Sequence, residues 1–235
     1  MKMPRLLTLF ETMQLAKPPI RVILYDLDGT LVDHFEAIHA AIAHAQQALG
    51  VPPSTLKKVR ATVGGGIELT LTRLLGPGLD VRALPLYEEY LTQNMFTGLR
   101  ALPGVQDMLE QLHARGLRQA VLTNKQGDYA RSIIEHLGWN RWLDEVFGVN
   151  DTPWRKPAKE FVLHAVNKLG GTPGDTLMVG DSPFDVEAAT NAGLRCHAVA
   201  TGSHTREQLL AHKPAPEAVF DSMIDLGRVT FGVKN

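Results

Sequence analysis

Val22-Ile23-Leu24-Tyr25 runs directly into Asp26-Leu27-Asp28-Gly29-Thr30, an apolar tetrapeptide ending in a polar turn. The run has no polar alternation, which suits a strand covered on both faces, as in a parallel sheet. Similar short runs recur at Ala120-Val121-Leu122, Val146-Phe147-Gly148-Val149, Thr176-Leu177-Met178-Val179 and His197-Ala198-Val199-Ala200, with a sixth candidate at Ala218-Val219-Phe220. Helical patterns lie between them, at Val105 to Ala114, Asp128 to Leu137, Glu160 to Leu169 and Asp185 to Asn191. Each is followed by glycine, the usual helix stop. This alternation predicts an α/β fold with a doubly wound parallel sheet. Such sheets bind ligands beyond the carboxyl ends of their strands.

The alternation breaks after the first strand. Between Asp33 and Leu99 there is no convincing strand. Phe35 to Leu49 is Ala-rich and helical, Ser54 reads as the N-cap of a second helix, and Glu68 to Leu75 and Val81 to Phe96 read as two more. A stretch this long exceeds a simple crossover. The expected organisation is therefore an N-terminal extension (1–19), a core (20–32 and 100–235) and an inserted all-helical domain (33–99).

The extension pairs Lys2 and Arg5 with Leu6, Leu7, Leu9 and Phe10, but Glu11 interrupts the run and no small-residue cleavage site follows. It reads as a short amphipathic helix ended by Pro18-Pro19. The chain has 235 residues, 44% apolar and 21% charged, with a net charge of −1. That balance predicts a globular protein without the basic excess of a nucleic-acid binder. No apolar run is long enough to span a membrane. The single cysteine, Cys196, lies in a strand-like run and reads as a buried inert thiol, in keeping with a reducing, cytoplasmic setting.

Polar clusters follow four of the apolar runs. Asp26 and Asp28, two apart on an extended segment, point to the same side. At about 4 Å two carboxylates repel by roughly 4 kcal/mol at an effective dielectric of 20, so the pair calls for a proton or a cation. The plainer reading is an Asx turn. Thr123-Asn124-Lys125 offers a hydroxyl, an amide and loop N–H groups to a phosphate, or simply caps the next helix. Lys156, in Arg155-Lys156-Pro157, is either a solvated lysine or a tie between carboxylates and phosphate. Gly180-Asp181-Ser182-Pro183-Phe184-Asp185 supplies carboxylate oxygens for a hard cation, or an N-cap with a first-turn aspartate. His34, His39 and His44 are five apart and form no metal face.

Taken in order, these clusters resemble the four motifs of the haloacid dehalogenase-like (HAD) superfamily of aspartate-nucleophile phosphatases: Asp26-x-Asp28-Gly29-Thr30, Thr123, Lys156 and Gly180-Asp181-x-x-x-Asp185. The likeness spans roughly Arg21 to Val199 and includes the place of the helical insert, which in that family is a cap closing over the active site. Val63-Gly64-Gly65-Gly66 and Thr123-Asn124-Lys125 are similar to the phosphoglycolate phosphatase branch, although the glycine triplet reads equally well as a flexible helix connection. Two positions depart from the pattern. His34 stands where many relatives carry Ser or Thr, and Lys159 stands where Pro commonly follows the lysine motif.

The resemblance implies a Rossmann-like core and a Mg²⁺-dependent phosphatase acting on a small phosphorylated metabolite. Asp26 would be the nucleophile that forms an aspartyl-phosphate, and Asp28 the acid and base. Thr123, Asn124 and Lys156 would bind the phosphoryl group. Mg²⁺ would be held by Asp26, the Asp28 carbonyl and Asp181. Asp185 and Thr30 would support these groups, and Gly64, Gly65 and Gly66 would form a cap specificity loop. The second carboxylate, Asp28, argues against the family's ATPases, which place Thr there, and against its dehalogenases, which lack this Asp. A sugar-phosphate mutase, a pyrophosphatase and a catalytically idle phosphate-binding protein are the competing readings.

Overall fold

The structure is a computed structural model that describes residues 18–234. The proposed amphipathic helix of the extension lies outside the described residues. Strands β1 (Val22–Tyr25), β4 (Arg118–Leu122), β5 (Glu145–Phe147), β6 (Thr176–Gly180), β7 (Arg195–Val199) and β8 (Ala218–Phe220) form one parallel sheet in the order β5-β4-β1-β6-β7-β8. β1 lies centrally, with Tyr25 in register with Val121 on one side and Val179 on the other. The polar residues that follow these three strands are therefore brought side by side.

The absence of alternation in the strands has a direct cause. Ile23, Tyr25, Val121, Leu177 and Val179 face one apolar layer, built with α5 (Val105–Ala114), α6 (Gly127–His136) and α10 (Met223–Phe231). Val22, Leu24, Ala120, Leu122 and Met178 face another, built with α7 (Lys159–Lys168) and α8 (Pro183–Ala192). Both faces are covered, so alternate positions need no polar residue. Cys196 belongs to the second layer, where burial pushes its thiol well above the usual range.

Some expected boundaries shift. The run at 146–149 yields a strand only to Phe147, because Gly148 turns away: its N–H donates to Asp151 Oδ2 at 2.7 Å. The second helix of the insert is capped by Thr55, whose Oγ1 accepts from Lys58 N at 3.2 Å, and not by Ser54. Ser54 is held instead by Gln46, through its N–H (2.7 Å) and its hydroxyl (3.0 Å).

Between β2 (Val32–Asp33) and β3 (Arg100–Ala101) the chain forms α1 (Phe35–Ala48), α2 (Leu56–Arg60), α3 (Ile67–Leu75) and α4 (Leu79–Asn94). β2 and β3 pair antiparallel, so the insert leaves and rejoins the core at one place. The insert has its own apolar centre, with Ile38, Ile42, Val59, Leu71, Tyr87 and Leu91 packed together. A small α9 (Arg206–Ala211) covers the β7–β8 edge. Among the described residues, no helix is long and apolar enough to cross a membrane.

Candidate active site

The carboxylates at the ends of β1 and β6 converge. Asp26, Asp181 and Asp185 are buried and offer oxygens that all lie within 4.8 Å of one another. The buried side chain of Lys156 enters this group, with Nζ 2.7 Å from Asp185 Oδ1 and 2.9 Å from Asp26 Oδ1. Burial works against the charge on this lysine, yet the two carboxylates hold its pKa above the ordinary value.

One lysine does not balance three carboxylates. Burial raises Asp26 to about 6, assisted by Asp185 and opposed by Lys156. Burial raises Asp181 further, to about 8, with the charges of Asp26 and Asp185 adding to the effect. Oxygen ligands crowded and desolvated in this way suit a small hard cation, which would relieve the repulsion. Asp185 has less to offer such an ion. Its Oδ1 is taken by Lys156, and its Oδ2 accepts from Ser182 N (3.0 Å) and Ser182 Oγ (2.7 Å). Asp185 thus completes a capping box at the start of α8 while it orients the lysine. Asp185 therefore contacts both the N-cap residue of α8 and Lys156.

The glycine of the last motif has a steric reason. A Cβ on Gly180 would lie 2.1 Å from Asp185 Cγ, so only glycine lets α8 start this close to β6. Gly29 has φ +87°, and a Cβ there would meet Gly202 Cα at 2.7 Å and Asp181 Oδ2 at 2.9 Å.

Asn124 acts through its side chain. Its Oδ1 accepts from Lys156 N at 2.9 Å, and its Nδ2 donates to Lys156 O (3.1 Å) and to Gly64 O (3.2 Å). One amide therefore joins the β4 loop, the lysine loop and the insert. Thr123 is buried beside it, and its Oγ1 accepts from Lys125 N at 3.1 Å. Thr30 Oγ1 donates to Asp181 Oδ1 at 3.4 Å.

The Asp28 side chain is 11% exposed, and its Oδ2 accepts from Lys125 Nζ at 2.9 Å. Burial would raise this carboxyl, but the Lys125 charge brings it well below the usual carboxylate range. Asp26, Asp28, Thr123, Asn124 and Lys125 share a cavity of about 60 Å³ with Gly64, Gly66, Ile38, Val63, Ile67, Tyr87 and Tyr129 of the neighbouring helices and loops. The glycine stretch is indeed the connection between α2 and α3, and it also forms part of the cavity wall. Gly65 does not line the cavity; it packs on Phe184, whose Cζ would be 2.7 Å from a Cβ there. Lys159 is exposed at the first position of α7, a position that also favours Pro.

Some site residues lie outside the four motifs. Asp181 Oδ2 accepts from Ser203 N at 2.6 Å and from Ser203 Oγ at 2.8 Å, and Thr201 Oγ1 donates to Gly29 O at 2.6 Å. The signal was present in the sequence, since Thr201-Gly202-Ser203 follows an apolar run as the other clusters do. Tyr87 and Tyr129 carried no comparable mark.

The chain matches the haloacid dehalogenase-like hydrolase family over residues 23–199. It is 32% identical over 216 residues to phosphoglycolate phosphatase 1 of Pseudomonas aeruginosa, covering 88% of this chain and 78% of that one. It is 31% identical over 222 residues to the phosphoglycolate phosphatase of Vibrio parahaemolyticus, covering 90% and 96% respectively. The crystal structure of a predicted phosphoglycolate phosphatase from Haemophilus somnus superimposes with a TM-score of 0.82 at 25% identity, covering 92% of this chain and all of that one. Carboxylates of β1 and β6 gathered around a buried lysine thus sit on a shared fold and a shared sequence pattern, and the chain belongs to the haloacid dehalogenase-like hydrolases as a phosphoric monoester hydrolase of their phosphoglycolate phosphatase-like branch.

Proposed function

We propose that this phosphatase is Mg²⁺-dependent, works through an aspartyl-phosphate on Asp26, and hydrolyses a small monoester, with 2-phosphoglycolate the best candidate. The observation that carries this reading is the buried contact of Lys156 with both Asp26 and Asp185, next to Asp181. Asp26 and Asp181, with the main-chain carbonyl of Asp28, would hold Mg²⁺. When bound, the ion offsets the repulsion between an anionic nucleophile and an anionic ester.

The rest is done by the chain itself. Asp26 attacks phosphorus and splits one difficult displacement into two easier ones. Lys156 fixes the Asp26 carboxylate and, with the Thr123 hydroxyl and the Asn124 N–H, binds the transferring oxygens. Asp28 gives a proton to the leaving oxygen, then removes one from the water that cleaves the acyl-phosphate. Asp185 and Thr30 hold Lys156 and Asp181 in place.

The segment 33–99 acts as a cap domain over the core of 20–32 and 100–235. Gly64 and Gly66 bring its backbone to the cavity, and Gly65 seats the loop on Phe184. The cavity of about 60 Å³ has room for about four waters, which favours a short leaving group over a hexose. Lys125 is the cation in its lining. Its ammonium has three donors, so a carboxylate on the leaving group can share it with Asp28. The names of the curated relatives agree with that choice.

Asp26→Asn tests the mechanism. It should abolish Mg²⁺-dependent hydrolysis of both 2-phosphoglycolate and p-nitrophenyl phosphate while circular dichroism stays unchanged. Hydrolysis retained by this variant overturns the mechanism. Among phosphorylated metabolites, a clear preference for a bulky sugar phosphate or a nucleotide overturns the substrate alone.

A further inference from the structure

Tyr87 is a residue of the insert that the reaction above does not use. It lies in the middle of α4 and is 4% exposed, with its ring packed in the apolar centre of the insert and lining the cavity. The core clamps this turn of the helix through the next residue, Glu88. Gln126 Nε2 donates to Glu88 Oε1 at 2.5 Å. Thr92 Oγ1 gives its proton to the Glu88 carbonyl (2.7 Å) and so accepts from the Tyr129 hydroxyl (3.1 Å). The place of Tyr87 beside the cavity is therefore fixed from both the insert and the core.

On the insert side, two polar side chains line the cavity, Thr70 and Tyr87. Thr70 Oγ1 is committed, since it donates to Gly66 O at 2.9 Å. The Tyr87 hydroxyl makes no hydrogen bond among the described residues, although buried tyrosine hydroxyls ordinarily find a partner. Nor is it sealed in: among the described residues, the enclosed side-chain atoms left without a partner are Asp28 Oδ1, Trp139 Nε1 and His212 Nε2. The hydroxyl is thus open to a molecule in the cavity. Burial raises the phenol above its ordinary range, with the charge of Asp28 adding to the effect, so it keeps its proton and is a donor.

One more donor stands in the same lining. His34 Nε2 donates to Met95 O at 2.6 Å, so Nδ1 presents a lone pair. Lys125 Nζ donates to that lone pair at 3.2 Å and to Asp28 Oδ2 at 2.9 Å, and its third proton is left over. Beside these donors the walls are apolar, with Ile38, Val63 and Ile67. A carboxylate brought into such a place loses its water and needs hydrogen bonds to both oxygens. The remaining Lys125 proton serves one oxygen, and the Tyr87 hydroxyl is the donor left for the other.

We propose that Tyr87 is a specificity-determining residue: its hydroxyl donates to the carboxylate of the leaving group, beside the free proton of Lys125. The inference rests on the reading of the substrate as an ester whose leaving group carries a carboxylate.

Ethyl phosphate is 2-phosphoglycolate with a methyl group in place of that carboxylate, so the ratio of kcat/KM for the two esters isolates the contact. Tyr87→Phe keeps the ring and its packing and removes the hydroxyl alone. In this variant the ratio should fall about 10- to 100-fold, the loss expected for one hydrogen bond to a charged group. A purely structural loss lowers both values and leaves the ratio in place. Inhibition of p-nitrophenyl phosphate hydrolysis by 3-phosphonopropionate, compared with propylphosphonate, reads the same contact from binding, and its preference for the carboxylate should fall as well. If the wild type prefers 2-phosphoglycolate and the ratio falls less than about tenfold in Tyr87→Phe, the role of Tyr87 is overturned and the substrate reading stands. If the wild type shows no preference for 2-phosphoglycolate over ethyl phosphate, the substrate reading fails and the role of Tyr87 falls with it.

Discussion

At the scale of single residues, Lys156 carries the largest electrostatic burden. Its buried ammonium is the positive charge that touches Asp26 and Asp185. Removing one partner of a buried ion pair destabilises proteins by about 3–5 kcal/mol, because the remaining charge is left without compensation. Lys156→Met should therefore lower stability in urea by about 3 kcal/mol without Mg²⁺ and abolish hydrolysis. Unchanged stability would show that the carboxylates take up protons when the lysine leaves. Lys156, Asp26, Asp28, Asp181 and Asp185 were readable as candidates because each follows an apolar run that becomes, or borders, a strand end. The contacts of His34 were not readable. Its partners Met95 and Lys125 are distant in sequence, and no local spacing encodes a long-range hydrogen bond.

At the scale of elements, the approach of α8 to β6 decides where Asp185 stands. A methyl group on Gly180 has no room beside Asp185. Gly180→Ala should push the start of α8 outward, break the Lys156–Asp185 contact, lower stability by about 1–3 kcal/mol and reduce kcat more than tenfold. Kinetics and thermal unfolding of that variant check this, and a fully active variant would mean the helix yields without moving Asp185. Elements were legible where local chemistry is strong. The apolar runs and the glycine stops placed the sheet and the main helices within a few residues. Errors arose where two local signals competed, as with the adjacent hydroxyls of Ser54 and Thr55, or where a distant residue intervened, as when Asp151 draws Gly148 out of β5.

At the scale of the whole molecule, the site makes stability depend on pH and metal together. Asp181 and Asp26 rise from an ordinary 3.8 to about 8 and about 6. The folded protein therefore binds these protons more tightly than the unfolded chain. The resulting stability is full below about pH 4 and is lost as pH rises through 6 and 8. Under the proposed ligand set, Mg²⁺ would compete for the same oxygens. It should raise the unfolding temperature strongly near pH 8 and little near about pH 5, where protons already occupy the site. His204, which burial holds below its usual range, acts in the opposite sense, so the Mg²⁺-dependent difference is the proper readout. An equal Mg²⁺ shift at both pH values would show that these carboxylates are not the ligands.

The pairing of β2 with β3 has a further consequence. Asp33 and Arg100 are partners in one ladder, so the insert begins and ends about 5 Å apart. A segment attached in this way is a cassette. It can be exchanged for another of different length without altering the register of the central sheet, provided both ends meet the same ladder. Given the cap role proposed above, trading this one stretch of chain would change which ester is cleaved while the chemistry of β1 and β6 stays fixed. A protein engineer has the same opening, with Asp33 and Arg100 as the splice points.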